Sequence, residues 1–140
     1  MAIRPTLQSM ILADHIYVDA TTGKKIICGT FNHLTVDSFP SQSMISKFAL
    51  VALTDVHGSV SIVLKYIDLS TGETLVEMQG LEMEADDPLE TVEVVVEITS
   101  LPMPHAGYYA LEAHWNSDVL GILRISVEET PARSTESDET

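Results

Sequence analysis

The sequence predicts an all-β protein, an antiparallel two-sheet β-sandwich of about seven or eight strands. Three observations carry that expectation. Apolar residues recur with a period of two, as they must where successive side chains alternate between a core and a solvent face. Turn-forming residues separate the apolar runs, at Asp19–Gly23, at His57 and Gly58, at Ser70–Gly72 and at Asn116–Asp118. Between residues 7 and 128 the period is nowhere that of a helix, apart from one helical turn allowed at Ser41–Ser46.

In chain order, the first strand is expected within Leu7–Val18, followed by Lys25–Leu34, Phe48–Asp55, Val60–Asp68 and Thr74–Gln79. The clearest is Thr91–Thr99. There Val92, Val94, Val96 and Ile98 form one apolar face, while Glu93 and Glu97 lie opposite with Val95 between them. A helix over the same residues would crowd the β-branched side chains of four Val and one Ile. The last two strands are expected at Tyr108–Trp115 and Val119–Glu128, joined by a polar hairpin.

One local similarity recurs along the chain. Tyr17–Ile27 aligns with Tyr66–Val76, each an extended run, an Asp able to bond its own backbone, a small polar pair and a Gly. Such loops close hairpins through a type I turn and a glycine bulge, so shared hairpin chemistry accounts for the likeness better than a duplicated half. The end of the fold runs from the proline-rich crossing Leu101–Pro104, through Gly107, Tyr108 and Tyr109, into the last two strands. Immunoglobulin-like sandwiches often close in this way, and the predicted class is refined to immunoglobulin-like. Fold alone says nothing about function.

At 140 residues and 45% hydrophobic, the chain has the size and apolarity of one folded domain, expected over residues 1–129. The polar stretch 130–140 is expected to be a disordered acidic tail. The formal charge of −14 is unevenly placed. Residues 1–72 hold five acids and five bases, whereas residues 73–140 hold sixteen acids and two bases, nine of those acids within 73–97. Seven cations on such a polyanion argue against nucleic acid and against an anionic membrane surface. The first apolar cluster, Met10–Ala13, ends at Asp14 after four residues, too short for a secretory signal, and a cytoplasmic protein is expected. Cys28, the single cysteine, has Ile26, Ile27 and Gly29 around it and reads as a buried, reduced thiol.

Residues that could carry chemistry are few. His15, His33, His57, His105 and His114 show no metal-site spacing, and no nucleophile elbow or phosphate-binding glycine run occurs. No cofactor is expected. The best candidate cation site is Glu82, Glu84, Asp86, Asp87 and Glu90, because calcium takes six to eight oxygens and one loop could supply several. Against it, the run lacks the order of a preorganised calcium loop, and a solvated acidic edge explains it as well. Tyr108, Tyr109 and Trp115 are the candidate stacking platform for a carbohydrate, although core packing and a tyrosine corner are the commoner use of such residues.

One pattern extends over most of the chain. Leu12, Ala13, Asp14 and His15 lead to Gly23 and Lys24, then to Ile27, Gly29 and Phe31, then to Phe39 and Pro40, and to Phe48. This resembles a family of small bacterial proteins of unknown function that share a Gly-Lys hairpin, an Ile-x-Gly-x-Phe run and a Phe-Pro loop. The resemblance covers roughly residues 7–128 and implies a compact cytosolic β-sandwich with no assigned activity or catalytic residue. The expected role is a non-enzymatic protein-binding or self-associating module, with Val95 as the apolar interruption on an acidic face. The alternative is a calcium- or carbohydrate-binding sandwich.

Overall fold

The structure, a computed structural model, describes residues 3–43 and 45–131. Eleven strands are present, and no helix is found among the described residues. One sheet has the order β2 (Lys25–Thr30), β1 (Thr6–Val18), β5 (Lys47–Thr54), β8 (Val92–Ile98). A second has the order β3 (His33–Val36), β11 (Asp118–Glu129), β10 (Gly107–Trp115), β6 (Gly58–Asp68), β7 (Glu73–Ala85). A two-stranded ribbon joins β4 (Ser41–Ser43) to β9 (Leu101–Met103).

The all-β expectation holds, with eleven strands in place of seven or eight. Two local events account for the added strands, and a third lengthens an expected one. The run Lys25–Leu34, read as one strand, passes Gly29 at φ +74°, still pairs with β1 at Thr30, and is broken at Phe31 and Asn32. The chain then crosses to the other sheet and enters beside β11 in the same direction, so this one pairing is parallel and the structure is not wholly antiparallel. Ser41–Ser43 forms an extended strand against Leu101–Met103, correcting the helical turn expected there. The acidic segment to Ala85 continues β7, which Gly80 at φ +78° bends without ending. The expected tail begins at Thr130, and beyond Pro131 it lies outside the described residues.

The two large sheets share one hydrophobic cluster. Leu12, Val51, Leu53 and Ile98 come from the first sheet, and Ile62, Leu64, Tyr66, Leu111 and Ile125 from the second. Truncating one such Leu or Ile to Ala costs about 2–5 kcal/mol, because lost transfer energy adds to the cavity left behind.

A smaller cluster lies apart from this core. Ala13, Ile16 and Leu50 are buried in it, with Ile11, Ile27, Phe48 and Val95 packed around them. Lys25 on β2 also reaches Glu93 on β8 at 3.1 Å, although β1 and β5 separate those strands in the sheet order. The β1–β2 hairpin therefore folds across the outer surface of its own sheet. Val95, expected to present an apolar interruption on an acidic face, packs against this cluster and is partly buried. Within the hairpin Ile27 turns inward, and alternation turns Cys28 outward. The thiol is exposed, which corrects its expected burial.

Candidate functional site

The two similar sequence runs form hairpins with the same hydrogen bonds. In the first, Gly23 N–H donates to Asp19 O at 2.8 Å, Thr21 N–H to Asp19 Oδ1 at 2.8 Å and Lys24 N–H to Thr22 Oγ1 at 3.2 Å. In the second, Gly72 N–H donates to Asp68 O at 2.7 Å, Ser70 N–H to Asp68 Oδ1 at 3.0 Å and Glu73 N–H to Thr71 Oγ1 at 3.1 Å. Their surroundings differ. Asp19 is half-buried at most, whereas Asp68 is 2% exposed and is the buried charged residue of the core.

What covers Asp68 is the crossing between β9 and β10. His105 Nε2 lies 2.6 Å from Asp68 Oδ2, and Ser70 Oγ donates to Asp68 Oδ1 at 2.8 Å. His105 Nδ1 meets Ala106 O at 2.7 Å. Two tyrosines hold the crossing from below. Tyr109 Oη donates to His105 O at 2.6 Å and accepts from His105 N–H at 3.2 Å, while Tyr66 Oη donates to Pro102 O at 3.0 Å. The two rings stack at 5.5 Å.

These contacts set the ionisation of the group. Burial works to push Asp68 up, but the bonds from Ser70 and His105 outweigh it and hold the carboxyl below its ordinary value. The bond to Ala106 O, then that to Asp68, raises His105. Burial pushes both phenols up, so Tyr66 and Tyr109 stay protonated donors. Asp, His and Ser together invite comparison with a nucleophilic triad. In a triad, however, the acid and the hydroxyl occupy opposite ring nitrogens. Here Ser70 Oγ lies 3.1 Å from the same Nε2 that meets Asp68, and its proton goes to the carboxylate. The cluster ties a turn to a crossing and leaves Ser70 no free base.

The same crossing supplies β9, one wall of an opening at the edge of the molecule. This groove, of about 370 Å³, is lined by Leu34, Val36, Ile45 and Met103, together with Ser41, Ser43 and Lys47. Ile45 is 74% exposed. Among the described residues both flanking strands have a free edge. β3 is outermost in its sheet, and β4 pairs with β9 alone. Asn32 O accepts from Ser126 N–H on β11 and Val36 O from Thr130 N–H just past it, so alternation leaves the Thr35 main chain facing away from β11. Pro102, opposite Gln42, has no N–H to offer the Gln42 carbonyl.

The candidates read from sequence are dispersed. Glu82 and Glu84 are exposed on β7, where Ser59 Oγ donates to Glu82 Oε1 at 3.3 Å. Asp86, Asp87 and Glu90 lie beyond the strand, and their oxygens serve the loop. Glu90 Oε1 accepts from the Asp86 and Asp87 N–H groups at 3.1 Å each, and Asp87 Oδ1 accepts from Leu89 N–H at 3.0 Å. Among the described residues no cluster of three or more ligating side chains is placed to hold a metal ion.

The aromatic candidates divide between faces. Tyr109 points into the core, Tyr108 is 57% exposed on the opposite face under Arg124, and Trp115 packs against the core. Strand alternation separates the first two, so the three make no shared platform. Of the histidines, His33 bonds Ser126 and Glu128, His114 bonds Glu112, and His15 sits between the Tyr17 and Phe48 rings. Sequence reasoning placed His105 in a loop without a partner, because Asp68 lies 37 residues away.

The fold and this arrangement define an all-β domain whose buried polar cluster fastens a crossing strand. The chain belongs to a family of unknown function, DUF6941, which matches residues 8–128. That span agrees with the resemblance read from the sequence. No curated protein matches the chain. No helix among the described residues is long and apolar enough to cross a membrane.

Proposed function

We propose that the protein is a non-enzymatic, cytoplasmic, immunoglobulin-like β-sandwich that acts as a protein-binding or assembly module. The observation that carries the reading is the groove between β3 and the β4–β9 ribbon. Its apolar lining of Leu34, Val36 and Met103 continues the core, and among the described residues both flanking strands have unpaired edges. An extended segment of a partner or of a second copy can place apolar side chains against that lining and add main-chain bonds along the edges. The immunoglobulin-like assignment is supported by β10 and β11 lying beside β6 and β7, and by the Tyr109 hydroxyl reaching back to His105 O as in a tyrosine corner.

The test compares wild type with Ile45→Glu, a change at an exposed position that places a charge in the groove. Light scattering after size exclusion reports self-association, and affinity capture from the source organism reports partners. Loss of dimer or of a captured protein in the variant supports the reading. Identical captured proteins and identical masses for both chains sink it.

A further inference from the structure

The alternation of β3 fixes what an added strand brings to the groove. Asn32 O and Val36 O accept from the Ser126 and Thr130 N–H groups, so the main chain of Thr35 faces the free edge, and Thr35 also lines the groove. An extended segment paired at Thr35 sets its central side chain on the Thr35 face and its two neighbours on the face of Leu34 and Val36.

Those two faces differ in character. Leu34 and Val36 pack against the core and line the groove with Met103 and Ile45. The Thr35 face is polar and acidic. Glu128 lies beside Thr35 in the parallel register with β11, and Ser126 lies beside His33. His33 Nδ1 meets Ser126 Oγ at 2.7 Å and its Nε2 meets Glu128 Oε2 at 3.1 Å, which puts these side chains on one face. The Glu128 side chain is 60% exposed, and among the described residues no Lys or Arg pairs with it. Asp37 and Glu129, both exposed, add negative charge at the end of β3. Lys47, the cation lining the groove, is held by Asp14 at 2.9 Å.

Taking the groove as the binding surface proposed above, we infer that its occupant is an extended segment of a different, basic protein, with a Lys or Arg between two apolar residues. The apolar pair enters beside Leu34 and Val36, while the cation, opposite Thr35, reaches across the outer face to Glu128. Neighbouring strands lie about 4.8 Å apart, so Glu128 is about 10 Å from the added main chain, within the combined reach of a long cationic side chain and a Glu. A second copy does not supply this segment. Among the described residues, the strand runs with a cation between two apolar residues are Leu64–Tyr66 in β6 and Leu123–Ile125 in β11, and both strands are paired along both edges. A second copy also carries a charge of −14 toward an edge that is already acidic.

Two blocked pentapeptides, Thr-Val-Lys-Val-Thr and Thr-Val-Glu-Val-Thr, are the probes. Each is titrated into the full chain at low salt, with the Thr35 amide and the Leu34, Val36 and Met103 methyls as reporters. The expected result is saturable shifts at those groups and tighter binding of the Lys peptide by about fivefold or more, a difference that shrinks with added salt and in Glu128→Gln. Equal affinities in the wild type overturn the basic occupant and leave the groove as a binding surface. A Lys preference unchanged in Glu128→Gln overturns it in the same way. No shift at Thr35 or the methyls with either peptide overturns the assigned occupant, and the Ile45→Glu comparison then decides the groove separately. The two peptides are compared on the wild type, so the main outcome does not depend on how Glu128→Gln folds.

Discussion

Asp68 Oδ2 lies 2.6 Å from His105 Nε2, joining the end of β6 to the crossing that leads into β10. Ser70 binds the other carboxylate oxygen, and Tyr109 holds the main chain of His105 from beneath. A turn, a crossing and a core strand are thereby fastened at one buried charge.

The pair makes stability depend on pH in a defined direction. His105 has a raised pKa in the folded chain, so its contribution is complete below the unfolded value of about 6.5 and fades as pH rises through the folded value. Asp68 is lowered, so its contribution is complete above about 3.9 and fades as pH falls through the folded value. Both act together between about pH 4 and 6.5. The difference in urea midpoint between wild type and His105→Gln should be largest in that window and shrink toward pH 9. A difference that stays constant from pH 5 to 9 would contradict the linkage.

The two hairpin glycines should respond alike. Gly23 and Gly72 have φ of +74° and +79°, a region a β-branched residue enters with difficulty. No atom lies near where their Cβ would be, so backbone strain is the main cost. Gly23→Val and Gly72→Val should each destabilise by about 1 kcal/mol or more. Unchanged denaturation midpoints in both would remove the shared turn assignment.

Gly121 is required for a different reason. A Cβ there would fall 2.2 Å from Leu7 Cδ2, where β1 runs close to β11. Gly121→Val should cost about 1–3 kcal/mol through overpacking, although Val otherwise suits a strand. Adding Leu7→Ala should recover part of that loss, a coupling of at least about 0.5 kcal/mol in a double-mutant cycle. Strict additivity would mean that Leu7 is not the obstacle.

Cys28 should react without unfolding. It is exposed on β2, so a thiol reagent should modify it fully under native conditions, at a rate unaffected by low denaturant. A rate that tracks global unfolding would place the thiol in the core.

The features legible in the sequence depend on near neighbours. Alternation in Val92–Ile98 placed Val96 and Ile98 in the core, and the Asp, small-polar and Gly order at Asp19 and Asp68 specified two hairpins with matching bonds. Family membership also rests on such local anchors. The break just past Gly29 was less legible, since a glycine in an apolar run can bend a strand, end it or simply fit within it. The parallel placement of β3 beside β11 depended on a strand about ninety residues away in the sequence.

By itself, then, the sequence determined the all-β class, the hairpins and the acidic skew of the second half. Only the tertiary structure decided that Asp68 is buried while Asp19 is not, that Val95 packs into a small cluster with Ala13, Ile16 and Leu50, and that His105 reaches Asp68. The physical reason is range. Pleat and turn chemistry are set by residues a few positions apart, whereas burial and ion pairing depend on which distant strand lies opposite.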